Sequence, residues 1–249
     1  METKKTAGEY ETSFTARDRR VLKTIIRHLS PLLPPPESNR GKRGTPYLWR
    51  RLVSQVCVMG SAVKLERLDE EQKSALWGAT SLGSWKARKF SLAYMQRELE
   101  AATRFPGKAA RRLLELTQNP HVVQDGEVIV LRELRGAKDA DSLRSQLLAR
   151  FGRSLGRKSV SDFMIATGLS QDVLALDQRL VGFFNRHLDY ALAFSRVQGS
   201  DAVYRSVESA LRPVCAKEGI SLAQFDRMIF KYAGMPAANF LIERHVQEG

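Results

Sequence analysis

The sequence predicts a mainly α fold with one small β-hairpin insertion. Three observations carry that expectation. Apolar residues recur at three- and four-residue spacing along most of the chain. Asp125-Gly126 stands between β-branched residues, the strongest short hairpin signal. A proline-rich stretch at 31–46 breaks the helical text near the N-terminus.

Residues 1–14 read as a loose leader. The first helix is expected from Thr15, a good N-cap, to Leu29, with Val21, Leu22, Ile25, Ile26 and Leu29 on one face. Three consecutive prolines, then Gly and basic residues, make 31–46 a stiff-then-flexible connection. From Tyr47 an apolar helix carrying Trp49, Leu52, Val53 and Val56 runs to about Gly60. Further helices are predicted over 69–79, 84–103 and 106–118. The ribbon pairs Val122–Gln124 with Val128–Leu131, and helices follow over 140–151, 159–168, 177–188, 200–217 and 221–232. The segments are therefore 1–46 (basic leader, first helix and linker), 47–136 (helical lobe with the hairpin) and 137–249 (helix-hairpin-helix region and C-terminal helices). Trp49, Trp77, Trp85, Phe183, Phe184 and Phe225 fall on apolar faces and read as core.

Charge gives the first functional indication. The chain has 40 Lys and Arg against 27 Asp and Glu, a net +13. Such an excess favours polyanionic partners, each neutralised phosphate contributing about 0.9 to the salt slope. No apolar run reaches the roughly 20 residues a membrane span needs, and no basic amphipathic helix suits a membrane surface. The N-terminus has no secretory apolar region. Cys57 and Cys215 lack metal spacing, and His28, His121, His187 and His245 are scattered, so neither a metal nor a cofactor is expected. Reduced cysteines suit a cytoplasmic protein.

The decisive stretch is 151–184. A helix ending at Phe151 enters a short turn holding Gly152 and Gly156, and a second helix begins near Lys158. The free N–H groups at such a helix start can hold a phosphate, and Arg153, Arg157 and Lys158 add formal charge. A lysine there, beside other cations and partly desolvated, can act as an amine nucleophile. Among 40 basic residues, a solvent-facing or phosphate-binding lysine is the ordinary alternative. Asp177 precedes a helix carrying Leu180, Val181 and Phe184, so it reads as an N-cap. A capping carboxylate is kept ionised and can also stabilise a developing sugar cation.

Gly156-Arg157-Lys158, Asp162-Phe163 and Ala175-Leu176-Asp177 together resemble the helix-hairpin-helix DNA glycosylase superfamily. The similarity is to its lysine-bearing branch, which includes the 8-oxoguanine DNA glycosylases. The lysine-to-aspartate separation, 177 − 158 = 19 residues, agrees with that branch. The resemblance implies a mainly α, two-lobed helix-hairpin-helix glycosylase fold with a small β-hairpin insertion, Lys158 as Schiff-base nucleophile and Asp177 as catalytic carboxylate. It implies Gly152, Arg153, Gly156, Arg157 and Ser159 as the phosphate-binding hairpin. It further implies a monomer acting on duplex DNA with a flipped modified base, by glycosylase and β-elimination chemistry, without cofactor. It is specific over 140–190 and softer elsewhere. Residues 49–63 are similar to the helix whose polar end enters the duplex, making Ser54 and Gln55 candidates for wedge contacts; a core helix with two incidental polar residues is the equal alternative. Residues 221–234 are similar to the closing helix of small prokaryotic members. Ser154 stands where the first hairpin glycine is usual, no N-terminal β-domain is present, and the 121–136 ribbon has no constant counterpart. Another excised base, including a hypermodified base of foreign DNA, and a non-catalytic DNA-binding module both stay open.

Overall fold

The computed structural model describes residues 14–33 and 44–232, apart from 60, 133, 135–138, 191, 194, 196, 198 and 199. The leader 1–13, most of the proline-rich connection, Gly60, Gly136 and His245 lie outside the described residues. The described chain is mainly helical with a single two-stranded hairpin. Its contacts divide it into two units, Met1–Glu37 with Ser170–Gly249, and Ser38–Leu169.

In the first unit, α1 (Ala16–Leu29) starts in a reciprocal capping box. Thr15 accepts from the Asp18 N–H, and Asp18 accepts from the Thr15 N–H. Asp18 is fully buried and also accepts from the Asp189 N–H at 2.7 Å, so the same carboxylate ties α1 to the end of a distant helix. After α1, Ser30–Leu32 tighten into a 3-10 turn. Helices α10 (Gln178–His187), α11 (Asp201–Lys217) and α12 (Leu222–Tyr232) complete the unit. The apolar stripe of α1 meets Phe184, Phe225, Leu211 and Met228 in one core. Phe183, Phe184 and Phe225 pack ring to ring there, Phe184 and Phe225 stacked at 6.5 Å. These aromatics sit in the core, as their helical spacing predicted.

The second unit is built on α2 (Thr45–Cys57), whose buried Leu48, Trp49, Leu52, Val53 and Val56 form its apolar side. The helix ends at Cys57, short of the expected Gly60. Helix α3 (Val63–Arg67) is one short turn with little apolar pattern, and the sequence did not reveal it. Helix α4 (Glu70–Ala79) follows as expected, but the single helix expected over 84–103 is two, α5 (Leu82–Ala87) and α6 (Leu92–Leu99). Lys89 and Phe90 take φ of +50° and +54° between them, a conformation disfavoured by roughly 1–2 kcal/mol per non-glycine residue. What holds it is tertiary: fully buried Trp85 bonds the Ser91 carbonyl through Nε1 and packs edge-on against Phe90. Trp49 is buried and bonds the Thr80 carbonyl, while Trp77 is half-buried.

Helix α7 (Pro106–Gln118) leads into the hairpin β1 (Val123–Gln124) and β2 (Glu127–Val128). Asp125 and Gly126 both have positive φ, as a two-residue primed turn requires. The ladder stops after two residue pairs because Val122 and Val130 turn into the helical core. The unit closes with α8 (Ala140–Phe151) and α9 (Arg157–Ala166), joined by the five-residue hairpin turn.

Candidate active site

The turn between α8 and α9 owes its shape to Gly152 and Ser154. Gly152 follows Phe151 at φ +56° and ψ −129°, a region that only glycine occupies readily. Ser154 takes the place of the usual hairpin glycine without positive φ and with its side chain buried. Helix α7 clamps it from both sides: Arg112 donates to the Ser154 carbonyl at 2.9 Å, and the Ser154 hydroxyl donates to Glu115 at 3.1 Å. Across the turn, Phe151 and Phe163 meet edge to face at 5.5 Å, locking α8 onto α9.

Gly156 is the N-cap of α9 and contributes no side-chain bond to it. The first amides of the helix, those of Arg157, Lys158 and Ser159, therefore receive no bond from the N-cap side chain, at the positive end of the helix dipole. A Cβ at Gly156 would meet nothing within 4 Å, so glycine is not demanded there by crowding within the chain. Gly152, Arg153 and Gly156 are exposed, and Arg157 is half-buried. Ser159 is buried, so what it can offer a ligand is its backbone N–H. At its far end α9 stops in a Schellman arrangement, with Gly168 at φ +66° and the Leu169 N–H on the Met164 carbonyl.

Lys158, in the first turn of α9, is half-buried and holds Asp162 as an ion pair at 3.4 Å. Gln55 of α2 also reaches Asp162, at 3.0 Å. The structure therefore places Gln55 in the α2–α9 packing, 4% exposed, while Ser54 is half-buried. Gln55 belongs with Lys158, a grouping that the sequence did not suggest.

Asp177 lies in the other unit and is the N-cap of α10. Its Oδ1 accepts from the Arg179 and Leu180 N–H groups, both at 2.9 Å. The preceding segment 173–176 is buried but belongs to no helix or sheet, so its backbone needs other partners. Two acids provide them: Glu208 of α11 accepts from Leu174 at 2.8 Å, and Asp226 of α12 accepts from Ala175 at 3.0 Å. Neither acid was distinguishable in the sequence from an ordinary helical carboxylate. Beyond the cap, the Arg179 guanidinium lies 4.2 Å over the ring of Phe230, which is 43% exposed.

Among the described residues no cluster of three His, Cys, Asp or Glu can hold a metal, and no helix is long and apolar enough to cross a membrane. Burial pushes the Cys57 thiol up to about 12, and burial followed by the nearby Asp172 does the same to Cys215. Both are the opposite of a reactive thiolate.

Helices α8 and α9, their glycine-bearing turn and an uncapped lysine-bearing helix start define a mainly α, helix-hairpin-helix fold. Its likenesses among solved structures are particular. The 8-oxoguanine DNA glycosylase of Thermotoga maritima is 20% identical with a TM-score of 0.56, over 87% of this chain and 95% of that one. The Methanocaldococcus jannaschii 8-oxoguanine glycosylase/lyase, solved in complex with a 15-mer DNA containing 8-oxoguanine, is 14% identical with a TM-score of 0.56, over 88% and 93%. A second structure of the M. jannaschii enzyme gives 14% and 0.57, over 87% and 93%. In fold, the chain resembles the 8-oxoguanine DNA glycosylases. No protein-family profile matches it, and no curated protein matches it in sequence.

Proposed function

We propose that this protein is a DNA glycosylase that excises a modified base, best an oxidised purine such as 8-oxoguanine, and nicks the strand by β-elimination. The observation that carries the reading is Lys158 at the uncapped start of α9, directly after the Gly152–Gly156 turn. The likeness of the fold to enzymes described as 8-oxoguanine glycosylases supports it.

The chemistry follows from the residues. Phosphate docks at the open end of α9, where backbone N–H groups and Arg157 favour an anion without reading sequence. The target nucleotide leaves the stack, at a cost of about a few kcal/mol that is least for a weakly paired base. Lys158 Nζ attacks C1′ and the base departs. The resulting imine makes the neighbouring C2′ proton acidic, so elimination breaks the 3′ C–O bond. Asp177, the cap of α10, is assigned the stabilisation of positive charge developing on the sugar.

The test is covalent capture. With a duplex carrying the correct base, borohydride should join the protein to DNA, and Lys158→Gln should abolish both the adduct and the nick. Duplex binding should persist, because only one of 40 basic residues is lost. Base release without capture would replace Lys158 by water as the nucleophile. Tight duplex binding with no release from any modified base would make the hairpin a binding module only.

A further inference from the structure

Lys158 is the first member of a three-residue chain. One helical turn on, Asp162 Oδ2 lies 3.4 Å from Lys158 Nζ, the side chains being only 27% and 32% exposed. The same oxygen accepts from Gln55 Nε2 at 3.0 Å. An ionised carboxylate only accepts, so the Gln55 amide must turn its nitrogen toward Asp162, which fixes its orientation. Its Oε1 is then buried without a hydrogen-bond partner among the described residues. A solvent-face i,i+4 ion pair needs no such support, and leaving a buried acceptor unsatisfied opposes folding. The order of the pair is also inverted relative to the helix dipole. The cation sits at the positive end of α9 next to Arg157, where positive charge is disfavoured.

We propose that Asp162, fixed by Gln55, takes the proton that Lys158 must lose before it attacks. This rests on Lys158 being the amine nucleophile. An ammonium has no lone pair, and Asp162 is the carboxylate that the structure places against this one. In the step an Nζ–H bond breaks and an Oδ2–H bond forms, leaving the electron pair on nitrogen. That pair forms the Nζ–C1′ bond while the bond from C1′ to the base breaks, its electrons leaving with the base. The proton on Asp162 then passes to the departing base or to water, restoring the carboxylate. Gln55 is a positioning residue that acts through Asp162.

Single-turnover borohydride trapping tests the assignment, first on an 8-oxoguanine duplex and, if the wild type is silent there, on duplexes with other modified bases until one is cleaved. Asp162→Asn, nearly the same shape, should trap about a hundred-fold more slowly, the scale of a lost proton acceptor. Duplex affinity and melting temperature should stay near the wild type. In Asp162→Ala, added formate should restore the rate in proportion to its concentration, a response that a purely structural carboxylate does not give. Gln55→Leu, similar in volume and without a donor, should lower the maximal rate and leave substrate binding unchanged. Asp162→Asn trapping at the wild-type rate, or formate without effect on Asp162→Ala, would overturn the proposal while leaving Lys158 as nucleophile. A wild type that releases base but is never trapped would remove the nucleophile reading, and this proposal with it.

Discussion

Asp177 is a cap in the structure, and the proposed function assigns it a chemical role as well. Both capping bonds fall on its Oδ1, from Arg179 and Leu180. Asparagine caps helices as well as aspartate does but carries no charge. Asp177→Asn should therefore melt with the wild type while excision falls about a hundred-fold, the scale of removing one electrostatic stabiliser. Thermal denaturation and single-turnover base release, measured together, separate the two roles. An Asn variant of full activity would leave Asp177 only as the cap of α10.

The hairpin between α8 and α9 shows how local conformation is set by contacts from a third helix. Gly152 supplies the positive φ, and Arg112 and Glu115 of α7 fix the following Ser154. Gly156 leaves the start of α9 without a side-chain cap. Gly152→Ala should destabilise the fold by about 1–3 kcal/mol, because an L side chain is strained there even though a Cβ meets nothing within 4 Å. Urea unfolding gives the value directly. A shift below about 0.5 kcal/mol, the range of ordinary surface substitutions, would mean that the turn relaxes into another shape. Glu208 and Asp226 act at the same scale, since they satisfy the backbone of a buried non-helical segment that presents the Asp177 cap.

Across the whole molecule the charge balance and the cysteines have separate consequences. The +13 excess bears on which partners the protein attracts, not on its fold. Cys57 and Cys215 are held as thiols by burial up to about 12. Each folded-state value lies above the unfolded thiol value of about 8.5. The linked stability is therefore fully present below about pH 8.5 and is lost as pH rises from there toward 12. Native protein at pH 7.5 should leave both thiols unmodified by a thiol reagent, and urea should make both reactive. A thiol that reacts in the native state would contradict the packing around it.

Much of this protein was legible in its sequence, for a local reason. Thr15 as a cap, Asp125-Gly126 as a primed turn, the stripe of α1 and Asp177 at the start of α10 each depend on a few neighbouring residues and a fixed period. The glycine-bearing turn before Lys158 belongs to the same kind, because helix-terminus chemistry is written within a single turn. The break at Lys89-Phe90 was not legible, since burial of Trp85 overrides the helical preference of that stretch. Nor was the role of Ser154, which depends on α7, or that of Glu208 and Asp226, which serve backbone more than 30 residues away. Asp162 stood one turn from Lys158 in plain view, but Gln55 lies 107 residues from it in sequence. Only packing α2 against α9 brings that amide to the carboxylate, because a buried polar group takes its partner from whatever helix the core places beside it.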